Sequence, residues 1–126
     1  MGSGGDAGAR KRRRLSRSGE FDRVYREGSS QANRHLVLYR FPQPDREGIR
    51  LGISAGRKVG GAVERNRVKR VLREAFWAIE GLPEGHDFVL VARPGIAELA
   101  GESGTEGVKA AIEQALAAFP GEGRST

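Results

Sequence analysis

The sequence predicts a two-layer α/β sandwich, a small sheet with about three helices packed on it. Residues 35–41 and 49–55 alternate in the period of a strand, and residues 88–92 are apolar throughout. Two longer stretches repeat apolar residues at i, i+3, i+4 and i+7, the period of a helix. Helical and extended segments run in the order helix, strands, helix, strand, helix, which suits one mostly antiparallel sheet covered by helices.

Each element has its local reason. Residues 1–9 are rich in glycine and residues 10–17 carry six cations and no acid, so 1–17 reads as a disordered basic arm. A single folded domain is expected over 18–120 and a disordered tail over 121–126. Ser18 reads as a helix N-cap, with Glu20 in the first turn and Leu15 as a hydrophobic staple. Phe21, Val24 and Tyr25 share the face of that helix, and Gly28 ends it. In the next strand His35, Val37, Tyr39 and Phe41 lie on one face, Leu36, Leu38 and Arg40 on the other. A turn with two prolines leads to a strand with Ile49, Leu51 and Ile53 on one face. The short connection predicts an antiparallel hairpin.

The main helix aligns Val68, Val71, Leu72, Ala75, Phe76 and Ile79 as one apolar stripe. Asn66, Lys69, Arg70 and Arg73 lie opposite, flanked by Arg65 and Arg67. Gly81 and Pro83 mark its end. The apolar run Phe88 to Ala92 is expected to be a central strand covered on both faces. The passage from Ile49 to Ala92 is long enough for a parallel crossover. Gly101 to Thr105 reads as a loop, with Thr105 capping a last helix that carries Val108, Ala111, Ile112, Ala115, Leu116 and Phe119 on one face.

Composition narrows the function. The absence of cysteine excludes a disulfide scaffold, thiolate zinc sites and cysteine nucleophiles, and fits a reducing compartment. No apolar run has the length of a membrane span, and the basic N-terminus lacks the apolar region of a secretory signal. No membrane partner and a cytoplasmic setting are therefore expected. Charge is unevenly placed. Met1 to Arg73 holds 19 basic and 7 acidic residues; Glu74 to Thr126 holds 3 basic and 9 acidic. A basic field concentrated on part of a small domain steers a polyanion to a defined site.

No catalytic constellation stands out. His35 and His86 have no metal-ligand spacing to another ligand type, and no dense acidic cluster is present. The stretch GISAGRKVGG matches neither a dinucleotide fingerprint nor a Walker A loop, since Val59 follows Lys58. Its glycines Gly52, Gly56, Gly60 and Gly61 allow close backbone approach. Arg57 and Lys58 stand just before a helix N-terminus, where the dipole also favours phosphate. From Arg57 to Arg73 there are seven cations and one acid, Glu64. A solvated face is the ordinary fate of such residues, but it normally mixes signs. This excess favours nucleic acid. Phe21, Tyr25 and Tyr39 are expected in the core by pattern; the other reading is a platform on which unpaired bases stack.

The segment from Arg65 to Phe76, RNRVKRVLREAF, resembles the signature of the bacterial ribonuclease P protein component. FDRVYREG, ANRHLVLY, RLGISAGRKVGGAV and DFVLVARP agree with that family in order and spacing, so the resemblance covers roughly residues 10 to 119. It implies a small basic subunit, itself monomeric, bound to a catalytic RNA that removes the 5′ leader from precursor tRNA. The RNA carries the active site and holds the Mg²⁺ together with the substrate; the protein has no catalytic residue and raises substrate and metal affinity. By position, the resemblance assigns Arg57, Lys58, Arg65, Asn66, Arg67, Lys69, Arg70 and Arg73 to the RNA-facing surface. It assigns Phe21, Tyr25 and Tyr39 to a cleft for the single-stranded leader, with Asn33 and Arg34 at its edge. It also implies a left-handed βαβ crossover, against the general rule. A structural RNA-binding protein of similar fold, such as a ribosomal one, and a stand-alone nuclease are the alternatives.

Overall fold

The computed structural model describes residues 12–15 and 18–120. Along the chain these form β1 (Arg12–Arg14), α1 (Ser18–Glu27), β2 (Ser29–Ala32), β3 (Leu36–Pro42) and β4 (Ile49–Ser54). A single 3₁₀ turn, Arg57–Val59, leads into α2 (Ala62–Trp77), followed by β5 (His86–Ala92) and α3 (Ile96–Ala117). The αβββαβα order is thus preceded by one short strand.

The five strands form one sheet in the order β1-β4-β5-β3-β2. β1 runs parallel to β4, with Arg12, Arg13 and Arg14 opposite Ile49, Arg50 and Leu51. Gly85, just before β5, donates its N–H to the carbonyl of Gly48, just before β4, so these two strands start together and run parallel. At the two ends of the β3–β5 pair, Gln43 N–H donates to Gly85 O and Arg93 N–H to His35 O, which makes that pair antiparallel. The sheet is therefore mixed rather than mostly antiparallel.

Three further expectations are corrected. β3 and β4 do not form a hairpin, because β5 lies between them. Phe88, Val89 and Leu90 are fully buried, as befits a strand inside the sheet with both faces covered, and β4 and β3 take its two edges. Sequence neighbourhood loses to that burial. Arg12–Arg14, expected within a disordered arm, are the edge strand β1; residues 1–11, 16, 17 and the tail 121–126 lie outside the described residues. The last helix begins at Ile96, ahead of the expected loop at 101–105. Ile96 and Ala100 are buried there, and the break narrows to Gly104, at φ 62° and ψ −156°.

The folded chain is compact in two units. The first takes its described residues from Met1–Ser29, Tyr39–Gly52 and Gly81–Val89. Its core is Leu15, Val24, Ile49, Leu51, Phe88 and Val89. The second comprises Ser30–Leu38, Ile53–Glu80 and the described part of Leu90–Thr126. There α2 packs on α3: Val68, Leu72, Ala75 and Phe76 of one helix and Val108, Ile112 and Ala115 of the other are buried. The expected stripe of α2 is the buried one, except that Val71 is only half-buried.

Candidate nucleic-acid interface

In the second unit the apolar stripe of α2 fixes the opposite face outward. Asn66, Arg67 and Arg70 are exposed; Arg65, Lys69 and Arg73 are half-buried, as long side chains with apolar stems often are. Ahead of them, buried Val59 anchors the 3₁₀ turn, and Arg57 and Lys58 are exposed beside it. Gly61 caps α2 with extended backbone and no side-chain hydrogen bond, so no side chain satisfies the first N–H groups of the helix. Exposed N–H groups, the helix dipole and two cations then share one end.

None of these seven cations has an acidic partner among the described residues. Glu64 and Glu74 share the helix with them, yet no i, i+4 ion pair forms there. The Nε of Arg65 is buried without a hydrogen-bond partner. Trp77 meets the ring of Phe76 edge-on, with centroids 5.0 Å apart.

Asn33 and Arg34 also belong to the second unit, and their roles differ. Asn33 uses its whole amide. Its Nδ2 donates to the carbonyl of Ala111 at 3.0 Å and to Oε1 of Gln114 at 3.1 Å. Its Oδ1 accepts from the N–H groups of His35 and Leu36 at 2.9 and 3.1 Å. Asn33 thus ties the β2–β3 turn to α3. Arg34, next to it, is exposed.

In the first unit the three aromatics come together. Phe21 and Tyr25 have ring centroids 6.3 Å apart, and Tyr25 meets Tyr39 edge-on at 5.0 Å. None is in the core: Phe21 and Tyr39 are half-buried and Tyr25 is 37% exposed, while Val24 beside them is fully buried. The expectation of core aromatics, drawn from spacing alone, is corrected. A short helix with one buried residue cannot hide every apolar side chain it carries. Sequence reading missed two neighbours. Phe41 is half-buried on the Tyr39 face of β3, and the guanidinium of Arg23 lies 5.2 Å from its ring centre. The period-two alternation that placed Phe41 with Tyr39 was the available signal.

Two glycines admit this arrangement. A Cβ on Gly52 would lie 2.5 Å from the Phe21 ring, and one on Gly28 would lie 2.6 Å from the carbonyls of Arg40 and Val24. Of the other glycines expected to permit close approach, Gly56 and Gly61 have open space at that position.

In the same unit, α1 is held by charge. Arg50 of β4 donates Nη1 to Glu20 of α1 at 2.8 Å and also binds the buried carboxylate of Asp87 on β5. Gln43 and Arg46 donate to Asp87 as well. The hydrogen bond to Asp87 raises the Arg50 pKa above its already high ordinary value; burial opposes this, and the fields of Asp87 and Glu20 add to it.

Comparison with known proteins gives this geometry its context. The family model of ribonuclease P matches residues 9–116. The ribonuclease P protein component of Bacillus pumilus is 42% identical over 96 residues, covering 71% of this chain and 76% of that protein. That of Brevibacillus brevis is 43% identical over 104 residues, covering 82% and 76%. The solved ribonuclease P protein of Staphylococcus aureus superposes with a TM-score of 0.72 at 32% identity, over 82% of this chain and 92% of that one. The protein from Thermotoga maritima gives 0.70 at 30% identity, over 80% and 92%. The chain belongs to the ribonuclease P protein family: it is a protein component of that tRNA-processing ribonucleoprotein, with the ribonuclease P RNA as its partner.

Proposed function

We propose that this protein is the non-catalytic subunit of the ribonucleoprotein, that it binds the catalytic RNA through α2 and its leading turn, and that it holds the 5′ leader of precursor tRNA on the aromatics of α1 and β3. The observation that carries the reading is the row of seven cations without acidic partners. Like charges on one helix face repel, and a phosphate backbone supplies the missing counter-charge. Arg57, Lys58, Arg65, Asn66, Arg67, Lys69, Arg70 and Arg73 make these contacts. Phe21, Tyr25 and Tyr39 offer ring surface to unpaired bases, which stack without sequence preference. Arg34 contributes a phosphate contact; Asn33 acts by fixing the turn that presents Arg34.

In this reading a single copy of the protein works in the cytoplasm. Among the described residues no helix is long and apolar enough to cross a membrane. The RNA performs the hydrolysis that leaves a 5′-phosphate on the mature tRNA. Mg²⁺ belongs to the RNA and the substrate. Among the described residues no group of three or more His, Cys, Asp or Glu side chains could hold a metal ion. By holding leader and RNA together, the protein raises the affinity for substrate and for Mg²⁺.

The test is precursor-tRNA cleavage by a bacterial ribonuclease P RNA at low Mg²⁺, with and without the protein. Strong stimulation is expected, and its loss when Arg65, Asn66 and Arg67 are together changed to Ala. Equal cleavage with and without protein would reject the reading. Cleavage by protein freed of all RNA would transfer the chemistry to the protein.

A further inference from the structure

We infer that the arginine edge of β1, with Arg13 foremost, is a second RNA-binding element that takes the phosphodiester backbone of the leader next to the aromatic platform. This rests on the reading of Phe21, Tyr25 and Tyr39 as a leader platform and extends it to residues outside that set.

The position of the edge is fixed by the fold. β1 is the outermost strand on its side of the sheet, hydrogen-bonded to β4 on one flank only. Leu15, the next residue, is buried and donates its N–H to the carbonyl of Leu51 at 3.0 Å, which locks the register. Arg12, Arg13 and Arg14 are all exposed. Three consecutive cations on an open strand edge prevent edge-to-edge pairing, and that alone would account for their solubility role. The register adds something that role does not require.

Arg13 stands directly opposite Arg50, so the two side chains share one face of the sheet. Like charges in register oppose pairing. Arg50 is already satisfied by Asp87 and Glu20. Arg13 and Arg14 have no acidic partner among the described residues. With the carboxylates nearest to it engaged by Arg50, Arg13 keeps an uncompensated charge that an external anion can take. Its neighbourhood identifies that anion. On the same face, the backbone of Gly52 lies against both the Phe21 ring and Cβ of Leu15. The arginine edge therefore adjoins the first ring of the aromatic cluster within the same unit. Rings for bases with guanidinium groups alongside for phosphates are the combination that binds single-stranded RNA. Arg14 points to the opposite face and continues the basic edge.

The test uses holoenzyme assembled from the full-length protein and a bacterial ribonuclease P RNA. Affinity is measured for mature tRNA without a leader and for precursors with short and long leaders, at several salt concentrations. The proteins are wild type, Arg13→Gln, Arg13→Gln/Arg14→Gln, the charge-keeping Arg13→Lys, and Phe21→Ala. The double variant is expected to lose roughly tenfold in affinity for the long leader only. Its salt slope for that substrate should fall by about 0.7 per lost phosphate contact, and Arg13→Lys should retain most of both. Unchanged long-leader affinity in the double variant, while Phe21→Ala loses leader dependence, overturns this inference and leaves the platform standing. An equal loss for leaderless tRNA also overturns it, since the edge then touches the tRNA body or the catalytic RNA. A wild-type holoenzyme indifferent to leader length overturns both.

Discussion

Arg50 and Asp87 form a two-pronged ion pair across β4 and β5: Nε donates to Oδ1 at 2.9 Å and Nη2 to Oδ2 at 2.7 Å. Asp87 is the buried charged residue of the described chain, and Arg50 links it to Glu20 on α1. Removing the arginine strands a desolvated carboxylate with only Arg46 and Gln43 as donors. Arg50→Met is therefore expected to cost about 3 kcal/mol of stability, read from urea unfolding. A group whose pKa is raised in the folded state stabilises in full below its unfolded pKa and loses this only as pH climbs through the folded value. For an arginine that window lies above the usable range. The difference between wild type and variant should thus be equal in neutral and mildly alkaline buffer, and a difference that shrinks on mild alkalinisation would reject the assignment.

Gly52→Ala places a methyl group inside the Phe21 ring. The ring or the strand must move, at about 1–3 kcal/mol. Leader-dependent affinity should fall with it while affinity for the catalytic RNA holds, because the basic face of α2 is untouched. Parallel binding assays with leaderless and leader-bearing tRNA check this.

The exposed cations of α2 make the opposite trade. Arg67→Gln and Arg70→Gln break no ion pair, so urea unfolding of the free protein should change by less than about 0.5 kcal/mol. Each should lower the salt slope of catalytic-RNA binding by about 0.7–0.9. An unchanged slope would make these side chains merely solvated.

Asn33→Ala removes one amide that satisfies two N–H groups and two acceptors. A loss of about 1–3 kcal/mol is expected by thermal or urea unfolding. Gln114→Ala, which removes only an exposed partner, should cost much less. Equal costs would show that the clasp on the carbonyl of Ala111 is not what matters.

The sequence revealed most where one pattern had one physical solution. The stripe of α2 and the apolar run of β5 could be satisfied only by burial, and both are buried except for half-buried Val71 and Val91. Strand pairing was not legible, because the tight link from β3 to β4 is local whereas the insertion of β5 depends on the whole sheet. β2, Ser29–Ala32, is polar and short and carries no periodic signal. Three consecutive arginines carry no strand pattern; the order of β1 comes from Leu15 and β4. The basic face was legible as charge. The aromatics were legible as residues but not as surface, because spacing cannot report how little a ten-residue helix buries. Asn33 was assigned to the interface by resemblance, whereas its four hydrogen bonds give it a scaffolding task.

If α2 binds the RNA as proposed, its unpaired cations also bear on how long the protein survives without that partner. Self-repulsion lowers the stability of the free chain, and a ligand that binds only the folded state raises it by mass action. Copies synthesised in excess of the RNA are then the less stable fraction, opening more often to proteases. On the proposed contact, the same charge row would tend to match the supply of protein to the supply of RNA.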